Sequence, residues 1–196
     1  MAEELSTQIE EKIIQAAVDC IERYGISGAT NRKIAEIAGV NSAAINYYFR
    51  SKDILLQRVL ETTLNNAFDW KDIDQLPGES PQARCKAVFL HLIEGGVNYP
   101  GITRAHFYEL IAEGKYDSPA VVRLSQFVEQ LAQDLKSKGS PLPIEDLRLA
   151  CMQITSAAVM IIMAPKLYEK RFNFDVSNPS DRQRFVDRLV ERLLSP

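Results

Sequence analysis

Two pairs of ionisable side chains could bind a metal ion in this 196-residue chain. His91 precedes Glu94 and His106 precedes Glu109 by three residues, so each pair would share one side of a helix. Helical di-metal proteins instead place glutamate before histidine and add further inward glutamates. The sequence also lacks zinc-ligand cysteine spacing, a glycine-rich phosphate loop and a nucleophile elbow. We expect no catalytic residue, metal or cofactor, and keep a helical metalloenzyme as an alternative.

A cluster of basic side chains lies between residues 30 and 58. This stretch holds five bases and two acids, a local balance of +3 in a chain of formal net charge −3. The bases are Arg32, Lys33, Arg50, Lys52 and Arg58, and the acids are Glu36 and Asp53. Such a cluster could attract a polyanion, although a chance grouping on a solvated face would have the same composition.

Residues 31–49 have the spacing of two short helices that cross through a tight turn. Ala35 provides a small residue where the second helix packs, and Gly39 tolerates the left-handed backbone that the turn needs. Thr30 and Asn41 are the expected N-caps of the two helices. The apolar contact that fixes the crossing angle would come from Ile34, Ala38, Val40 and Ile45. The pattern predicts a helix-turn-helix.

The same segment closely resembles the N-terminal module of the TetR family of transcription regulators. The resemblance covers about residues 7–67 and is strongest over 30–55. The residues that carry it are Tyr24-Gly25, Thr30, Ile34-Ala35, Ala38-Gly39-Val40, Tyr47-Tyr48-Phe49 and Ser51-Lys52, followed by an apolar helix. It implies a dimeric regulator of transcription, commonly a repressor, that a small-molecule effector releases from roughly palindromic double-stranded operator DNA.

The resemblance implies that the helix from Ser42 to Tyr48 lies in the major groove. Hydroxyl, guanidinium, phenol and ammonium groups can all donate to phosphate, which makes Thr30, Arg32, Tyr47 and Lys52 the predicted backbone contacts. Asn46 would pair with adenine, and an alanine methyl would touch a thymine methyl. The full set of predicted DNA contacts is Thr30, Arg32, Asn41, Ser42, Ala43, Ala44, Asn46, Tyr47, Tyr48 and Lys52. Phe49 is assigned to the core.

The expected base-reading surface departs from the family pattern. The family often has serine where this chain has Asn41, and tyrosine where it has Asn46. It often has glycine or threonine where this chain has Ala43 and Ala44. Asparagine caps a helix as well as serine does, so the helix-turn-helix is retained. Small side chains read few bases, so no relative's operator sequence transfers, and DNA shape is expected to add specificity. A helix-turn-helix that binds only protein is a further alternative.

Start and stop signals along the chain predict an all-α fold of about nine helices. Division into a DNA-binding domain at 1–52 and an effector-binding and dimerisation domain at 53–196 is expected. The first predicted helix starts at the capping box Thr7/Glu10 and ends at Gly25. The next two occupy 31–38 and 42–49, and a longer one starts after Ser51 and runs to about Asp74. The remaining helices continue from Ser80-Pro81, over about 102–113, from Ser118-Pro119 to Gly139, from Pro143 to about Pro165, and from the capping box Ser180/Gln183 to Leu194.

The C-terminal part is interpreted mainly from pattern. The helix near 147–164 is apolar on more than one face, so one face would fill the core and another, with the last helix, would meet a second copy as a four-helix bundle. The predicted interface is Ala157, Ala158, Ile161, Phe185, Leu189 and Leu193, although all could be intrachain core. Family effector pockets lie among the middle helices, where we expect Trp70, His91, His106, Phe107, Tyr108 and Met160 to bind ligand, unless they only pack the core.

Cellular location is predicted from the signal-peptide, membrane-span and cysteine patterns of the sequence. The acidic start lacks the basic and apolar regions of a signal peptide, and the longest apolar stretch, 154–165, is shorter than the ~20 residues of a span. Cys20, Cys85 and Cys151 are an odd number in apolar helical patterns, so buried thiols are expected instead of disulfides. We expect a cytoplasmic protein without a membrane partner.

Overall fold

The computed structural model describes residues 2–195, with side chains from residue 6, and these residues contain α-helices and no strand. The predicted all-α class is confirmed. The helices are α1 (Ala2–Tyr24), α2 (Asn31–Ala38), α3 (Ser42–Phe49), α4 (Lys52–Ala67), α5 (Trp70–Asp74), α6 (Pro81–Val97), α7 (Pro100–His106), α8 (Tyr108–Glu113), α9 (Pro119–Ser137), α10 (Ile144–Met163), α11 (Pro165–Phe172) and α12 (Pro179–Leu193). The predicted count of about nine is therefore low.

Two predicted N-caps are wrong. The helix α1 already begins at Ala2, so Thr7 lies inside it and does not cap it. The cap of α12 is Asn178, whose side chain accepts a hydrogen bond from the backbone N–H of Ser180 at 2.9 Å. Ser180 therefore lies in the first turn of the helix, after Pro179.

Three helix boundaries differ from the expected ones. The predicted helix from Ser51 to Asp74 is broken at Phe68, after which Asp69 caps the short α5. The predicted helix at 102–113 begins earlier, at Pro100, and is interrupted at Phe107. The sequence pattern predicts no counterpart of α11, because it indicates that the preceding helix ends near Pro165. In the structure Pro165 starts a new helix.

Two apolar cores organise the helices. The N-terminal core joins α1, α2, α3 and the first half of α4, and it takes Ile102 and Ala105 from α7. The C-terminal core is formed mainly by α6, α9, α10 and α12, around Phe89, Phe127 and Leu131. The N-terminal core extends along α4 past residue 52, so α4 is shared by the two parts, and the expected boundary at 52/53 stays a prediction.

The helix α10 is long and apolar enough to cross a membrane by length and composition alone. In this structure 44% of its apolar window is buried, and Leu147, Cys151 and Ile154 belong to the C-terminal core. The expectation that no apolar stretch has the length of a span is thus corrected. Its apolar composition is that of a central core helix.

The three cysteines are free and buried, as predicted. Burial raises the pKa of each thiol, and raises that of Cys151 to about 12. These thiols therefore stay protonated and pack as small apolar side chains.

Candidate nucleic-acid interface and adjoining cavity

Local hydrogen bonds fix the geometry of α2 and α3. Thr30 Oγ1 accepts from the N–H of Lys33 at 3.4 Å and caps α2, and Asn41 Oδ1 accepts from the N–H of Ala43 at 2.9 Å and caps α3. Gly39 ends α2 with φ 63°, a backbone conformation that side chains disfavour. The residues that lock the crossing against α1 are buried: Ile34, Ala35, Ala38, Ile45 and Phe49. The predicted helix-turn-helix is confirmed, while Val40 lies only half-buried beside it.

The helix α3 presents an exposed polar face. Tyr47 is 81% exposed, and its ring packs edge-to-face on Tyr48 with centroids 5.1 Å apart. Tyr48 and Ala44 are half-buried and pack against the N-terminal core, so less of each is available to a partner. The remaining predicted contacts on or before α3 are exposed: Asn41, Ser42, Ala43 and Asn46. This surface is free to enter a groove.

Asn46 has a neighbour that the sequence did not indicate. Asn31, at the start of α2, directs its Nδ2 to Asn46 Oδ1 at 3.4 Å, a long contact that holds the amide loosely. In the part of the chain that the structure describes, Asn46 Nδ2 has no partner. Its Oδ1 keeps a second lone pair, so donor and acceptor can both reach an adenine edge.

Most cations around α3 are free of carboxylate partners. Arg32 and Arg50 are exposed and Lys52 is half-buried, and within residues 6–195 none of them forms an ion pair. Lys33 differs, because its Nζ donates to Gly28 O at 3.2 Å and lies 4.0 Å from the centroid of the Tyr24 ring. Lys33 therefore stabilises the α1–α2 junction, and Tyr24, half-exposed, is its platform.

Arg50 was not among the predicted DNA contacts. It ends α3 with φ 63°, which is unusual for a residue with a side chain, while its N–H still donates to Asn46 O at 3.0 Å. The left-handed backbone turns the chain sharply into α4. The sequence does not indicate this positive φ, because position 50 carries neither glycine nor asparagine.

A cavity of about 460 Å³ lies where the two cores meet. It is lined by residues of α1, α4, α5, α6, α7, α9 and α10. Of the six predicted ligand residues, His91, His106 and Phe107 line it. Trp70, Tyr108 and Met160 do not: Trp70 packs against Phe127 with ring centroids 6.1 Å apart, while Tyr108 and Met160 point largely to solvent. These three residues therefore lie outside the cavity, and their assignment to a ligand site stays a prediction that this cavity does not support.

The polar side chains of the cavity wall fall into two groups. Five belong to exposed residues, and four belong to more buried ones: Gln15, Asn66, Asp72, His91 and Tyr99, and Thr63, Thr103, His106 and Thr155. His106 shares a hydrogen bond of 3.0 Å with Thr63 Oγ1, and burial lowers the pKa of this histidine to about 4. Thr155 is 4% exposed, and its Oγ1 has no hydrogen-bond partner among the described residues. The cavity therefore contains a neutral imidazole and a hydroxyl with unused bonding capacity.

The cavity wall is joined directly to the helix-turn-helix. Gln15 and Val18 of α1 line the cavity, as does Thr63 of α4. The Glu22 carboxylate of α1 accepts hydrogen bonds from the N–H of Gly101 at 2.8 Å and of Ile102 at 2.6 Å. These bonds complete the N-terminus of α7, whose inner side is cavity wall. The cavity wall therefore includes α1 and α4, which pack against α2 and α3.

The predicted dimer residues have mixed placements. Ala158 and Ile161 are buried in the C-terminal core of the same chain, so these two assignments are wrong. Phe185, Leu189 and Leu193 are half-buried against that core, and Ala157 is also half-buried. The large apolar side chains that α10 exposes lie on another face: Leu149, Met152 and Met160.

The predicted metal pairs are engaged elsewhere. Glu94 forms an ion pair with Arg182 at 3.4 Å, and Glu109 forms one with Lys115 at 3.1 Å. Among the described residues, no group of three histidine, cysteine, aspartate or glutamate side chains could hold a metal ion. The geometry offers the metalloenzyme alternative no support.

Comparison with known proteins agrees with this architecture. The sequence model described as "Bacterial regulatory proteins, tetR family" matches residues 13–59. The Tetracycline repressor protein class A from transposon 1721 of Escherichia coli is 40% identical over 52 residues, 26% of this chain and 24% of that protein. The HTH-type transcriptional regulator RutR of Escherichia coli O157:H7 is 29% identical over 134 residues, 65% of this chain and 55% of RutR. The chain thus spans between a quarter and about half of these two relatives.

Solved structures extend the likeness to the whole fold. The transcriptional regulator FadR from Bacillus subtilis, solved in complex with stearoyl-CoA, superposes with a TM-score of 0.68 at 17% identity, covering 94% of this chain and 97% of FadR. At that identity the likeness concerns the fold alone. Residues 13–59 therefore match the helix-turn-helix module of the tetR family of bacterial regulatory proteins, and the whole chain shares the helical fold of FadR.

Proposed function

We propose that this protein is a sequence-specific DNA-binding regulator of transcription, acting as a repressor that a small-molecule effector releases from its operator. The observation that carries the proposal is the exposed polar face of α3, flanked by Arg32 and Lys52, which have no carboxylate partner in the described chain. In an acidic protein, such unpaired cations are available to phosphate. Relatives with this module are transcriptional regulators.

Effector control is supported by the cavity between the two cores. Helices α1 and α4 contribute to its wall, and both also pack against α2 or α3. A ligand can shift an equilibrium between two arrangements only if it binds one of them more tightly. A cavity shared by the two cores meets that condition when its shape differs between the arrangements. FadR, in complex with stearoyl-CoA, is a solved example of a ligand-bound regulator with this fold.

Homodimerisation is supported by the outer face of α10. Leu149, Met152 and Met160 are 49%, 50% and 44% exposed and share one side of the helix. A second copy of the chain would cover this face about a two-fold axis. One α3 helix reads only a few base pairs, so two copies are needed for specific affinity. Binding to operator DNA would place the protein in the cytoplasm.

The salt dependence of DNA retention tests the DNA-binding role. Each phosphate contact releases counterions, so replacing Arg32 or Lys52 with alanine should weaken binding to all duplexes alike and flatten the slope of log affinity against log salt by about one unit. Fluorescence anisotropy of labelled duplex DNA over a salt series measures this slope.

A matched control is Lys166→Ala, which removes an exposed cation from α11, remote in sequence from the helix-turn-helix. This variant should keep the wild-type slope. An unchanged slope in both Arg32→Ala and Lys52→Ala would reject the phosphate contacts. Retention that hardly responds to salt in the wild type would favour a helix-turn-helix used only for protein binding.

A further inference from the structure

The lining of the cavity restricts the charge of what it can hold. Among the described residues that line it there is no lysine and no arginine. Its single carboxylate, Asp72, belongs to an exposed residue, and so does the imidazole of His91. Burying a carboxylate or phosphate without a counter-charge in an apolar space is costly. An anionic ligand would therefore bind poorly inside.

The buried histidine does not supply the missing positive charge. His106 lies against Thr63 Oγ1, and burial lowers its pKa to about 4, so its ring is neutral near neutral pH. Because Thr63 Oγ1 also donates to Val59 O at 2.9 Å, the ring N–H of His106 is the donor in this pair. The pair therefore offers acceptor atoms to a hydrogen-bonding group, namely the remaining lone pair of Oγ1 and the other ring nitrogen, and it offers no charge.

Thr155 provides a second, independent sign that a polar group belongs in this space. Its residue is 4% exposed, and its Oγ1 is buried without a partner in the described part of the chain. Ala158, Val159 and Ile162 of the same helix also line the cavity, so Thr155 is a polar residue in an apolar part of the wall. A buried hydroxyl of this kind calls for an explanation, and a ligand group that completes its hydrogen bond provides one.

The rest of the wall favours a ligand with a ring. Phe68, Phe89 and Phe127 all line the cavity, and the Phe127 ring lies 5.2 Å from Phe68 and 6.2 Å from Phe89, centroid to centroid. Aromatic side chains at such distances offer both faces and edges to another ring. The apolar part of a ligand would be recognised here.

We propose that the cavity binds an uncharged small molecule with an apolar, ring-containing body and a hydrogen-bonding group recognised by Thr155, by the Thr63–His106 pair, or by both. This inference rests on the proposed ligand-responsive function and adds the class of the ligand. It separates this chain from regulators whose ligands carry phosphates or carboxylates.

Binding of matched probes to the full-length protein tests the class. Four compounds share a 4-butylphenyl body and differ in the head group: alcohol, amide, carboxylate or ammonium. The only tryptophan, Trp70, packs against Phe127 of the cavity wall, so its fluorescence reports occupancy without a label. Near neutral pH, the alcohol and the amide should bind at least about tenfold more tightly than either charged probe. The proposal is overturned if a charged probe binds as tightly as the neutral probes or more tightly. It is also overturned if neither neutral probe shows saturable binding.

Variants of Thr155 test the hydroxyl itself. Thr155→Val keeps the shape and removes the unpaired oxygen, so the melting temperature should hold or rise while affinity for the neutral probe that uses the hydroxyl falls about tenfold. Thr155→Ser keeps the hydroxyl and should retain most of that affinity. Thr63→Val tests the second recognition point in the same way. If both valine variants bind both neutral probes like the wild type, the assigned recognition is wrong.

The outcome is separable from that of the proposed function. The Trp70 titration needs no DNA, so a failure of the neutral probes leaves the DNA-binding proposal standing. A flat salt response in the DNA experiment leaves the ligand class standing. Release of DNA by anionic compounds alone would contradict the ligand class while supporting effector control.

Discussion

Among single residues, those of α2 and α3 are held by partners a few positions away in sequence, whereas the cavity is lined by residues from distant helices. Predicted caps, buried positions and exposed polar positions of α2 and α3 follow from local spacing, so Thr30, Gly39 and Asn41 take their expected places. Cavity residues depend on how distant helices meet. Thr155 was not predicted, because nothing in its neighbourhood in sequence indicates that its hydroxyl lacks a partner.

The histidine in the cavity makes stability depend on pH. His106 has a folded-state pKa of about 4, below the ordinary 6.5, so the unfolded chain takes up a proton first as the pH falls. Its contribution is fully present above about pH 6.5 and is lost toward about pH 4. Between about pH 7 and pH 5 the wild type should lose about 1–2 kcal/mol more stability than His106→Gln.

Urea denaturation at the two pH values measures this difference. The control is His91→Gln, which replaces an exposed histidine in the same cavity wall and should follow the wild type. If His106→Gln shows the same acid sensitivity as the wild type, the histidine is not held neutral by burial.

At the scale of helices, the misplaced boundaries have tertiary causes. Nothing between Lys52 and Asp74 breaks a helix by composition, since this stretch has neither glycine nor proline. The break at Phe68 is stabilised from a distance, because Arg123 donates to Phe68 O at 3.0 Å. Asp69 then caps α5 by accepting from Lys71 N–H at 2.9 Å, and aspartate is a residue type that favours this position in the sequence as well.

The contact between α1 and α7 is the connection that we expect to hold the two parts together. A Cβ on Gly101 would lie 2.8 Å from Glu22 Cα, so this close approach requires glycine. Replacing Glu22 with alanine removes the acceptors of two amides at the start of α7 and should cost about 1–3 kcal/mol of unfolding free energy.

Chemical denaturation measures that loss, with Glu11→Ala on an exposed position of the same helix as the control. Glu11→Ala should stay within about 0.5 kcal/mol of the wild type. A Glu22→Ala variant as stable as the control would show that the carboxylate contributes nothing to the contact between α1 and α7.

At the scale of the whole molecule, the sequence predicted the class and the general layout but not which face of α10 is free. That helix is apolar around most of its circumference, so periodicity could not distinguish Ala158 and Ile161, which are core, from Met152 and Met160, which are exposed. The packing of α6, α7, α9 and α12 against this helix decides which of its faces is free.

The exposed face of α10 gives a prediction about assembly. A Met152→Glu/Met160→Glu double variant places two charges where a second copy would pack and should be monomeric by light scattering. Its operator affinity should fall by roughly 10²–10³, since a single α3 helix reads too few base pairs. Ile111→Glu, which charges an exposed apolar residue on α8, should remain a dimer. A dimeric double variant would place the interface elsewhere.

Footprinting on duplexes selected from a random pool shows whether α3 of each of two subunits enters the major groove. We expect two protected patches on one face of the duplex, with centres about 34 Å or a multiple of one helical turn apart. We also expect that Asn46→Ala loses about 1–3 kcal/mol at one position of each half-site and little on random DNA. Failure to select any sequence, or a footprint and affinity indifferent to changes in α3, would contradict this mode of binding.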